Sequence, residues 1–379
     1  MLRYDQSMKL STLQENLSKS LLIASRLVAT RAQLPVLGNV LLSTDSGRLK
    51  ISATNLETGI NLWIGASLEE EGSISVPAKI LTEFVSSLPA DKVNLEVREN
   101  SLFLKCNQFQ ADFISLPASE FPNVPTRKGK ESFLLDSQEL VKAVSQAAFA
   151  AASDEGRPVL TGVLLTVKDK SLNFAATDGY RLSVKKTPGI NAEDLPELEK
   201  GLIIPSKALI EVAKIMGNEE KKIGVTLTKE SNQVIFSSDD VEVVSRLIEG
   251  EFPNLEKIIP QSSTTKVILE KETFLKAVKM AAIFARESAN FVKLSFQDKK
   301  LSVSANSAQV GNNLSEIEAQ IEGEANKIAF NSRYLLDFLG AVSEEQIRFE
   351  MTGPLSAGIF RLSDKEDFTH VIMPVRVQE

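Results

Sequence analysis

The chain has 379 residues, with 50 acidic and 43 basic side chains and a formal net charge of −7. This length exceeds what one hydrophobic core usually organises, so two to four domains are expected. No apolar run approaches the roughly 20 residues of a membrane-spanning helix, and residues 1–11 lack a signal peptide's apolar stretch. A cytoplasmic location is therefore predicted, and Met8, where the periodic pattern begins, is an alternative start.

Cys106 is the only cysteine and His370 the only histidine. Disulfides and clusters of zinc ligands are therefore excluded, and any catalytic triad would depend on His370 alone. We interpret Cys106 as a small core residue of an alternating strand and His370 as a solvated strand residue. No phosphate-binding glycine motif is present, so no cofactor or metal is expected. The sequence therefore gives little support for an enzyme.

Helices and strands are predicted in one order that recurs three times along the chain. Each copy has an amphipathic helix, a strand with an A-[TN]-[NDS] turn, a short strand running into a second helix, and a closing segment. The closing segment contains the motif FPN in the first two copies and is shortened in the third. In the first copy the four elements are residues 10–28, 49–60, 73–89 and 115–125. In the second copy they are residues 134–153, 172–184, 201–217 and 245–260. In the third copy they are residues 269–288, 301–313, 327–343 and 369–379.

The spacing of equivalent residues indicates three homologous domains. The turn residues Thr54, Thr177 and Asn306 are 123 and 129 residues apart, and the hinges Pro77, Pro205 and Asn331 are 128 and 126 apart. Pro and Asn suit a helix start, because Pro has no amide to leave unpaired and Asn can cap. We predict an α+β fold with domains 1–127, 128–260 and 261–379, each with two helices packed on antiparallel sheets. Repeats of this kind build either an open solenoid or a closed ring.

The charges are unevenly distributed, since the predicted helices carry more basic than acidic residues while acids concentrate in strands and loops. For any single lysine, a solvated helix face is the simpler explanation. The collective bias indicates a surface for a polyanion, binding phosphates without reading sequence and weakening with salt. No recognition helix, zinc finger or RNP-type aromatic run is present, so base readout is not expected.

The stretch AATDGYRLS, Ala175–Ser183, resembles an active site, with Asp178 as acid or base, Tyr180 as proton donor and Arg181 as anion clamp. The equivalent turns carry Asn55-Leu56 and Ser307-Ala308, so the fold does not require the carboxylate. We therefore expect Asp178 to hold the turn by accepting backbone amides beside Gly179. The alternatives are an enzyme using these residues and an open repeat scaffold that binds proteins but not DNA.

Several segments together resemble the bacterial DNA sliding clamps, the beta subunits of DNA polymerase III. They are LPVLGNVLL (34–42), RPVLTGVLL (157–165), ATDGYRL (176–182), EFPNLEKIIP (251–260), NSRYLLDFL (331–339) and VIMPVR (371–376). The resemblance implies the DNA clamp fold and a ring-shaped, head-to-tail homodimer around duplex DNA. It implies a non-catalytic processivity factor that tethers the replicative polymerase. Further implied partners are an ATP-driven clamp loader and other polymerases and repair proteins, which bind through a short peptide.

The resemblance also assigns site residues. The pocket for the partner peptide would use Leu160, Thr177, Gly179, Tyr180, Arg181, Leu182, Pro253, Ile258, Asn331, Tyr334, Leu355, Val371, Met373, Pro374, Val375 and Arg376. DNA would be contacted by Arg31, Lys79, Arg157 and Lys207, and the dimer would use Phe113, Ile283 and Phe284.

Simpler alternatives stay open for these residues. Ordinary domain core accounts for the apolar pocket members such as Leu182 and Val371, and for the dimer residues. Solvated side chains account for the basic ones. Pro374, in a terminal strand, indicates an unpaired edge. An adaptable slot of apolar side chains and Met373 nevertheless fits a peptide, with Tyr180, Arg181 and Arg376 orienting its polar ends.

Overall fold

The computed structural model describes residues 7–28, 34–168, 170–188, 196–217, 220–228, 232–287, 289–363 and 365–376. Strands and helices follow the threefold order. The strands are β1 (Lys9–Leu13), β2 (Asn39–Asp45), β3 (Arg48–Thr54), β4 (Thr58–Gly65), β5 (Ser67–Glu70), β6 (Ser73–Pro77), β7 (Lys92–Arg98), β8 (Ser101–Cys106), β9 (Phe109–Ile114), β10 (Phe133–Asp136), β11 (Gly162–Lys168), β12 (Ser171–Thr177), β13 (Arg181–Pro188), β14 (Leu202–Pro205), β15 (Lys222–Thr228), β16 (Gln233–Ser238), β17 (Val241–Arg246), β18 (Thr265–Glu270), β19 (Phe291–Gln297), β20 (Lys300–Ser307), β21 (Gly311–Glu318), β22 (Gln320–Gly323), β23 (Asn326–Asn331), β24 (Gln346–Met351), β25 (Gly358–Leu362) and β26 (Lys365–Ile372).

The helices are fewer and short. They are α1 (Gln14–Ala24), α2 (Ala78–Ser86), α3 (Ser137–Ala147), α4 (Pro196–Lys200), α5 (Ser206–Met216), α6 (Lys271–Ala285) and α7 (Ser332–Ala341). In the part of the chain that the structure describes, no helix is both long and apolar enough to cross a bilayer.

The chain divides into two compact units, residues 1–137 with 214–247 and residues 138–213 with 248–379. The first unit contains a five-stranded sheet in the order β5-β1-β7-β8-β9 and an eight-stranded sheet in the order β10-β15-β16-β17-β4-β3-β2-β6. The second contains a nine-stranded sheet, β14-β11-β12-β13-β26-β25-β24-β18-β22, and a four-stranded sheet, β21-β20-β19-β23. The described pairings between these strands are antiparallel, as predicted.

Two of the sheets run across the predicted domain boundaries. In the first unit β4 pairs with β17, so that Gly59 lies opposite Val244. In the second unit β13 pairs with β26 in the same way, and Leu182 lies opposite Val371. The repeats therefore share hydrogen-bonded sheets, which is why the two compact units do not coincide with three ranges; the boundaries at 127/128 and 260/261 stay a prediction.

The helices form where apolar residues recur with helical spacing. On α2, Ala78, Leu81 and Val85 are buried while Lys79 is exposed. The α6 and α7 helices of the second unit pack on each other and contribute to an apolar core, which includes Phe330, Phe349 and Phe360. The cores thus lie between helices and sheets, the layering expected of an α+β fold.

The starts of the three amphipathic segments differ from the expectation of continuous helix. Residues 10–13 belong to β1, and β10 and β18 likewise precede α3 and α6. Pairing with a neighbouring strand, as β1 pairs with β7, overrides the local helical pattern. Other predictions are confirmed: α2 follows Pro77, the side chain of Asn331 accepts the Arg333 amide at 2.9 Å to cap α7, and Cys106 is fully buried.

Candidate functional site

The Thr177–Arg181 turn between β12 and β13 is held by side chains that bond to its own backbone. Thr177 Oγ1 donates to the carbonyl of Arg181 at 2.6 Å and accepts the Gly179 amide at 3.0 Å. Asp178 Oδ1 accepts the amides of Tyr180 at 2.8 Å and Arg181 at 3.0 Å. Gly179 has a φ of +93°, a conformation that favours glycine. The prediction that Asp178 holds the turn is confirmed.

The first repeat builds the same turn without a carboxylate. Thr54 Oγ1 donates to the carbonyl of Thr58 at 3.0 Å and accepts the Leu56 amide at 3.0 Å. Asn55 Oδ1 accepts the amides of Glu57 at 3.1 Å and Thr58 at 2.8 Å. An amide oxygen therefore replaces the carboxylate oxygen of Asp178, which argues against a chemical role for that acid.

The third repeat has a shorter turn, which shifts its equivalent residue. Ser307 is buried and its Oγ accepts the Gln309 amide at 3.3 Å, as Thr177 accepts the Gly179 amide. Asn306, which the sequence pattern matched to Thr177, is instead exposed. That match was wrong by one residue, because β20 continues to Ser307 before the chain reverses.

Arg181 anchors the turn to the rest of the second unit. Its guanidinium donates to Asp178 at 3.1 Å, to Asp337 at 2.6 Å and to the carbonyl of Phe149 at 2.8 Å. The cation also lies 4.6 Å from the ring centroid of Tyr334, and the residue is only 9% exposed. Arg181 therefore positions the turn, and a direct contact between its side chain and a peptide stays a prediction.

His370 is completely buried, so the expectation of a solvated histidine is wrong. Its Nδ1 is hydrogen-bonded to Ser183 Oγ at 2.6 Å, and its ring stacks on Phe338 with centroids 5.2 Å apart. Burial, reinforced by the charge of Arg181, lowers the pKa of His370 from 6.5 to about 3. The ring is therefore neutral near pH 7 and serves as core. Among the described residues, no group of three His, Cys, Asp or Glu could hold a metal.

The C-terminal segment joins the turn to the four-stranded sheet. β26 is paired on both sides, with β13 and β25, so the expectation of an unpaired edge at Pro374 is wrong: this proline follows the end of the strand. The Met373 amide donates to the carbonyl of Tyr180 at 2.8 Å, and the Val375 amide to the carbonyl of Ala329 at 2.8 Å. The side chains of Met373 and Tyr180 stay 46% and 60% exposed.

The C-terminal segment contributes to two apolar features. Leu182, Val371 and Ala357 form a small buried cluster, with Ile258 packed against it. Val375 belongs to the lining of a groove of about 230 Å³, together with Lys293, Lys327, Ile328, Ala329, Pro354 and Leu355. We call the Thr177–Arg181 turn, Met373 and this groove the Thr177 site.

The predicted pocket residues fall into three classes of exposure. Buried are Leu160, Thr177, Arg181, Leu182 and Val371; intermediate are Ile258, Asn331, Tyr334, Pro374 and Val375; exposed are Gly179, Tyr180, Pro253, Leu355, Met373 and Arg376. The pattern did not predict Asp337 or the carbonyl of Phe149, which bind Arg181, nor the groove residues Ile328 and Pro354. Sequence spacing carries no signal for them, because tertiary packing brings residues that are distant in the chain to the site.

The predicted DNA-contacting residues have different surroundings. Lys79 on α2 and Lys207 on α5 are exposed, and within the described residues neither makes an ion pair. Arg157 instead donates to the carbonyl of Asp178 at 3.0 Å and so belongs with the turn. Arg31 lies outside the described residues.

The predicted dimer residues are only partly at the surface. Phe113 is 7% exposed and packs edge-to-face on Phe84, with ring centroids 5.6 Å apart, while its neighbour Ile114 is 84% exposed. Ile283 is 57% exposed, but Phe284 packs against the core of the second unit. The side chain of Phe113 points inward because alternate residues of a strand face opposite sides.

Profile models of the DNA polymerase III beta subunit match all three repeats: its N-terminal domain matches residues 8–125, its central domain residues 134–254 and its C-terminal domain residues 256–376. The beta sliding clamp of Synechococcus elongatus is 32% identical over 376 residues, covering 98% of this chain and all of the relative. That of Bacillus subtilis is 29% identical over 382 residues, covering 97% of this chain and all of the relative.

Solved structures agree with this assignment. The crystal structure of the Bacillus subtilis DNA polymerase sliding clamp superposes with a TM-score of 0.91 at 28% identity, covering 98% of this chain and all of that one. The beta subunit of DNA polymerase III from Thermotoga maritima gives a TM-score of 0.90 at 27% identity with the same coverage. The matches extend over all three repeats. The chain therefore belongs to the DNA polymerase III beta subunit family, the non-catalytic sliding clamps that act as processivity factors in DNA replication.

Proposed function

We propose that two copies of this chain close head to tail into a ring around duplex DNA. The observation that carries the proposal is a pair of unpaired sheet edges, β9 in the first unit and β21 in the second. Within the described residues neither strand has a neighbour on its outer side, and an open edge is a template for another chain. Pairing β9 of one copy with β21 of the other, at both junctions, would satisfy these two edges in each copy and close the assembly.

The side chains at these edges support the same pairing. Ile114 beside the β9 edge is 84% exposed, and Leu314 on β21 is 65% exposed. Ile283 of α6 adds a third exposed apolar side chain in the second unit. Burying such residues would stabilise a dimer by the usual hydrophobic term, while the buried Phe113 and the partly buried Phe284 would support the interface from behind.

Contact with DNA would come from basic helix residues. Lys19, Lys79, Lys207, Lys276 and Arg333 are exposed, and none makes an ion pair with another described residue. Unpaired cations attract phosphates without regard to sequence, and the attraction weakens as salt is added. Such contacts leave the protein able to slide. Arg31 would add to them, and Arg157 is a weaker candidate because its guanidinium contacts the turn.

Partner proteins would bind at the Thr177 site through a short, partly apolar peptide. The exposed side chains of Tyr180, Met373 and Leu355 provide apolar contacts, and thioethers adapt to different partners. Lys293 in the groove and Arg376 beyond it would favour acidic or carboxylate groups. The expected partners are the catalytic subunit of DNA polymerase III, other polymerases, repair proteins and the clamp loader. The three domains would be residues 1–127, 128–260 and 261–379, working in the cytoplasm on the nucleoid.

The ring is tested by its topology on DNA. The protein should migrate at about twice 41.5 kDa, remain on nicked circular DNA after loading, and leave when that DNA is linearised. Retention unchanged by linearisation would refute encirclement. Replacing Ser315 in the middle of β21 with proline should disrupt pairing at this edge and yield monomers, whereas Ser295→Asp on the interior strand β19 leaves the edge intact.

The peptide site is tested separately. Deleting residues 373–379 removes Met373 and the segment that is hydrogen-bonded to Tyr180 and Ala329. We expect this truncation to abolish polymerase binding and to leave the dimer intact, as measured by surface plasmon resonance and sedimentation. Normal polymerase binding by a truncated dimer would show that the site has been placed incorrectly.

A further inference from the structure

A second pocket lies in the first unit, at the turn that matches the Thr177–Arg181 turn. Its volume is about 190 Å³, and its lining includes Leu56, Pro122, Val124, Gln233, Val244 and Arg246. We call it the Thr54 pocket after the turn residue at its edge. This volume is below the roughly 300–1,000 Å³ of most small-molecule sites, so it suits one or two side chains.

The Thr54 pocket results from the same construction as the Thr177 site. The Thr54 turn has the same set of side-chain-to-backbone bonds as the Thr177 turn. Beside it, β4 pairs with β17 as β13 pairs with β26, which places Val244 where Val371 lies in the other repeat. The FPN segment contributes Pro122 and Val124, and the residue equivalent to Val124 in the second copy, Leu255, packs against the Leu182 cluster.

Two polar side chains of the pocket lining, Gln233 and Arg246, lie on adjacent strands. Arg246 and Gln233 are opposite each other in the β16–β17 register. Within the described residues the guanidinium of Arg246 has no acceptor, and its backbone amide donates to the carbonyl of Glu57 at 2.9 Å. The side-chain oxygen of Gln233 is buried and accepts no hydrogen bond from the part of the chain that the structure describes. A buried unpaired oxygen is costly, which points to a donor that a ligand would supply.

The lining also includes apolar side chains. Val124 and Val244 are 8% and 4% exposed, and Leu56 remains 45% exposed at the rim. The pocket therefore offers a cation for a carboxylate, an acceptor for an N–H group and an apolar wall for a side chain. A peptide's C-terminal residue carries all three groups on one Cα atom, and capture of a terminal carboxylate is a known mode of peptide recognition.

We propose that the Thr54 pocket is a second docking site, which binds the C-terminal residue of a partner protein when that residue is apolar. The carboxylate pairs with Arg246, the amide of the same residue donates to Gln233, and its side chain packs on Val124 and Val244. This site is separate from the Thr177 site and does not depend on peptide binding there.

The test uses a synthetic peptide, acetyl-Gly-Ser-Gly-Ser-Leu, with either a free C-terminal carboxylate or a C-terminal amide. Binding to the full-length protein is followed by methyl NMR, with the Val124 and Val244 methyl groups reporting on the pocket. We expect these signals to shift with the acid, and the amide to bind about tenfold more weakly, because a charge-assisted hydrogen bond is lost. Equal binding of acid and amide would overturn the proposal.

Two variants and a control locate the site. Arg246→Gln should weaken the acid about tenfold and remove its advantage over the amide; because the guanidinium has no acceptor among the described residues, the fold should not be affected. Leu56→Gly removes an apolar side chain from the rim of the pocket and should also weaken binding. Residue 56 has a φ of +76°, which glycine adopts without strain, so the turn should be retained. Met373→Ser alters only the Thr177 site and should change nothing. Unchanged binding by Arg246→Gln, or loss of binding in Met373→Ser, would contradict the proposal.

Discussion

Replacing Arg181 by methionine tests whether the turn depends on its buried ion pairs. Methionine keeps much of the stem, but it removes the donors to Asp178, Asp337 and the carbonyl of Phe149. Breaking a buried ion pair costs about 3–5 kcal/mol, because it leaves a charge without a partner. The carboxylate of Asp337 is 33% exposed, so water can partly replace the lost cation. We therefore expect a loss of about 3 kcal/mol in the free energy of unfolding, at the low end of this range.

The loss should be visible in two measurements. For a unit of this size, about 1 kcal/mol shifts Tm by roughly 2–4 °C, so the second unit should melt about 6–12 °C lower. Hydrogen exchange at the amides of Tyr180 and Arg181, which bond to Asp178, should accelerate more than exchange in the first unit. Local exchange is informative here because the chain has two compact units and its melting need not be two-state.

A matched control and a second substitution make the result specific. Arg333→Met removes an exposed cation from the same unit, without a described ion pair, and should cost less than about 0.5 kcal/mol. Adding Asp337→Asn to Arg181→Met should recover part of the loss, because it neutralises a carboxylate left without its partner. A loss below about 1 kcal/mol, or equal losses for both arginines, would refute the assignment of Arg181 as a buried anchor.

Three further predictions follow from the same geometry. Because the pKa of His370 is lowered to about 3 in the folded protein, its contribution to stability is complete above the unfolded pKa of about 6.5 and decreases at lower pH; between pH 7 and 5 the loss is about 2 kcal/mol. Urea unfolding at pH 7 and pH 5 should show this loss of stability in the wild type and not in His370→Asn. An equal loss in both proteins would count against the assignment to His370. Gly179→Ala should destabilise by about 1 kcal/mol, since φ is +93° and a Cβ would lie 3.1 Å from Arg157 Nη1. Leu56→Gly should stabilise by about 0.5–1 kcal/mol, because it removes a side chain from a residue with positive φ. Chemical denaturation would measure the effects of both glycine substitutions, and changes of the same sign would contradict the strain argument.

The turns show how much of the site local sequence could predict. An Asx residue followed by Gly179 predicts a turn held by backbone amides, and the structure confirms those bonds for Asp178. The exchange of Asp178 for Asn55 in the first repeat already argued against an enzyme, because both oxygens accept the same pair of amides. What failed was the match of Asn306, where a turn one residue shorter moved the buried position to Ser307.

Burial of polar residues was the weaker part of the prediction. His370 looked like a solvated strand residue, since nothing in its neighbouring residues indicates that β13 and β25 lie on both sides of its strand. Arg181 looked like a surface clamp, yet its partner Asp337 is 156 residues away in the chain. The free energy of a buried polar group depends on partners that are distant in sequence, so local patterns cannot assign it.

Periodicity, spacing and turn residues by themselves determined the threefold repeat, the α+β class, most helices and the membership of the sliding clamp family. These features are local, since a helix stripe, a strand alternation or a glycine turn depends on residues a few positions apart. Only the tertiary structure decided that the repeats share sheets through the β4–β17 and β13–β26 pairings, and that β9 and β21 remain open. It also decided that the Thr54 turn borders a pocket, because strands from different repeats, β4 and β17, pair beside it.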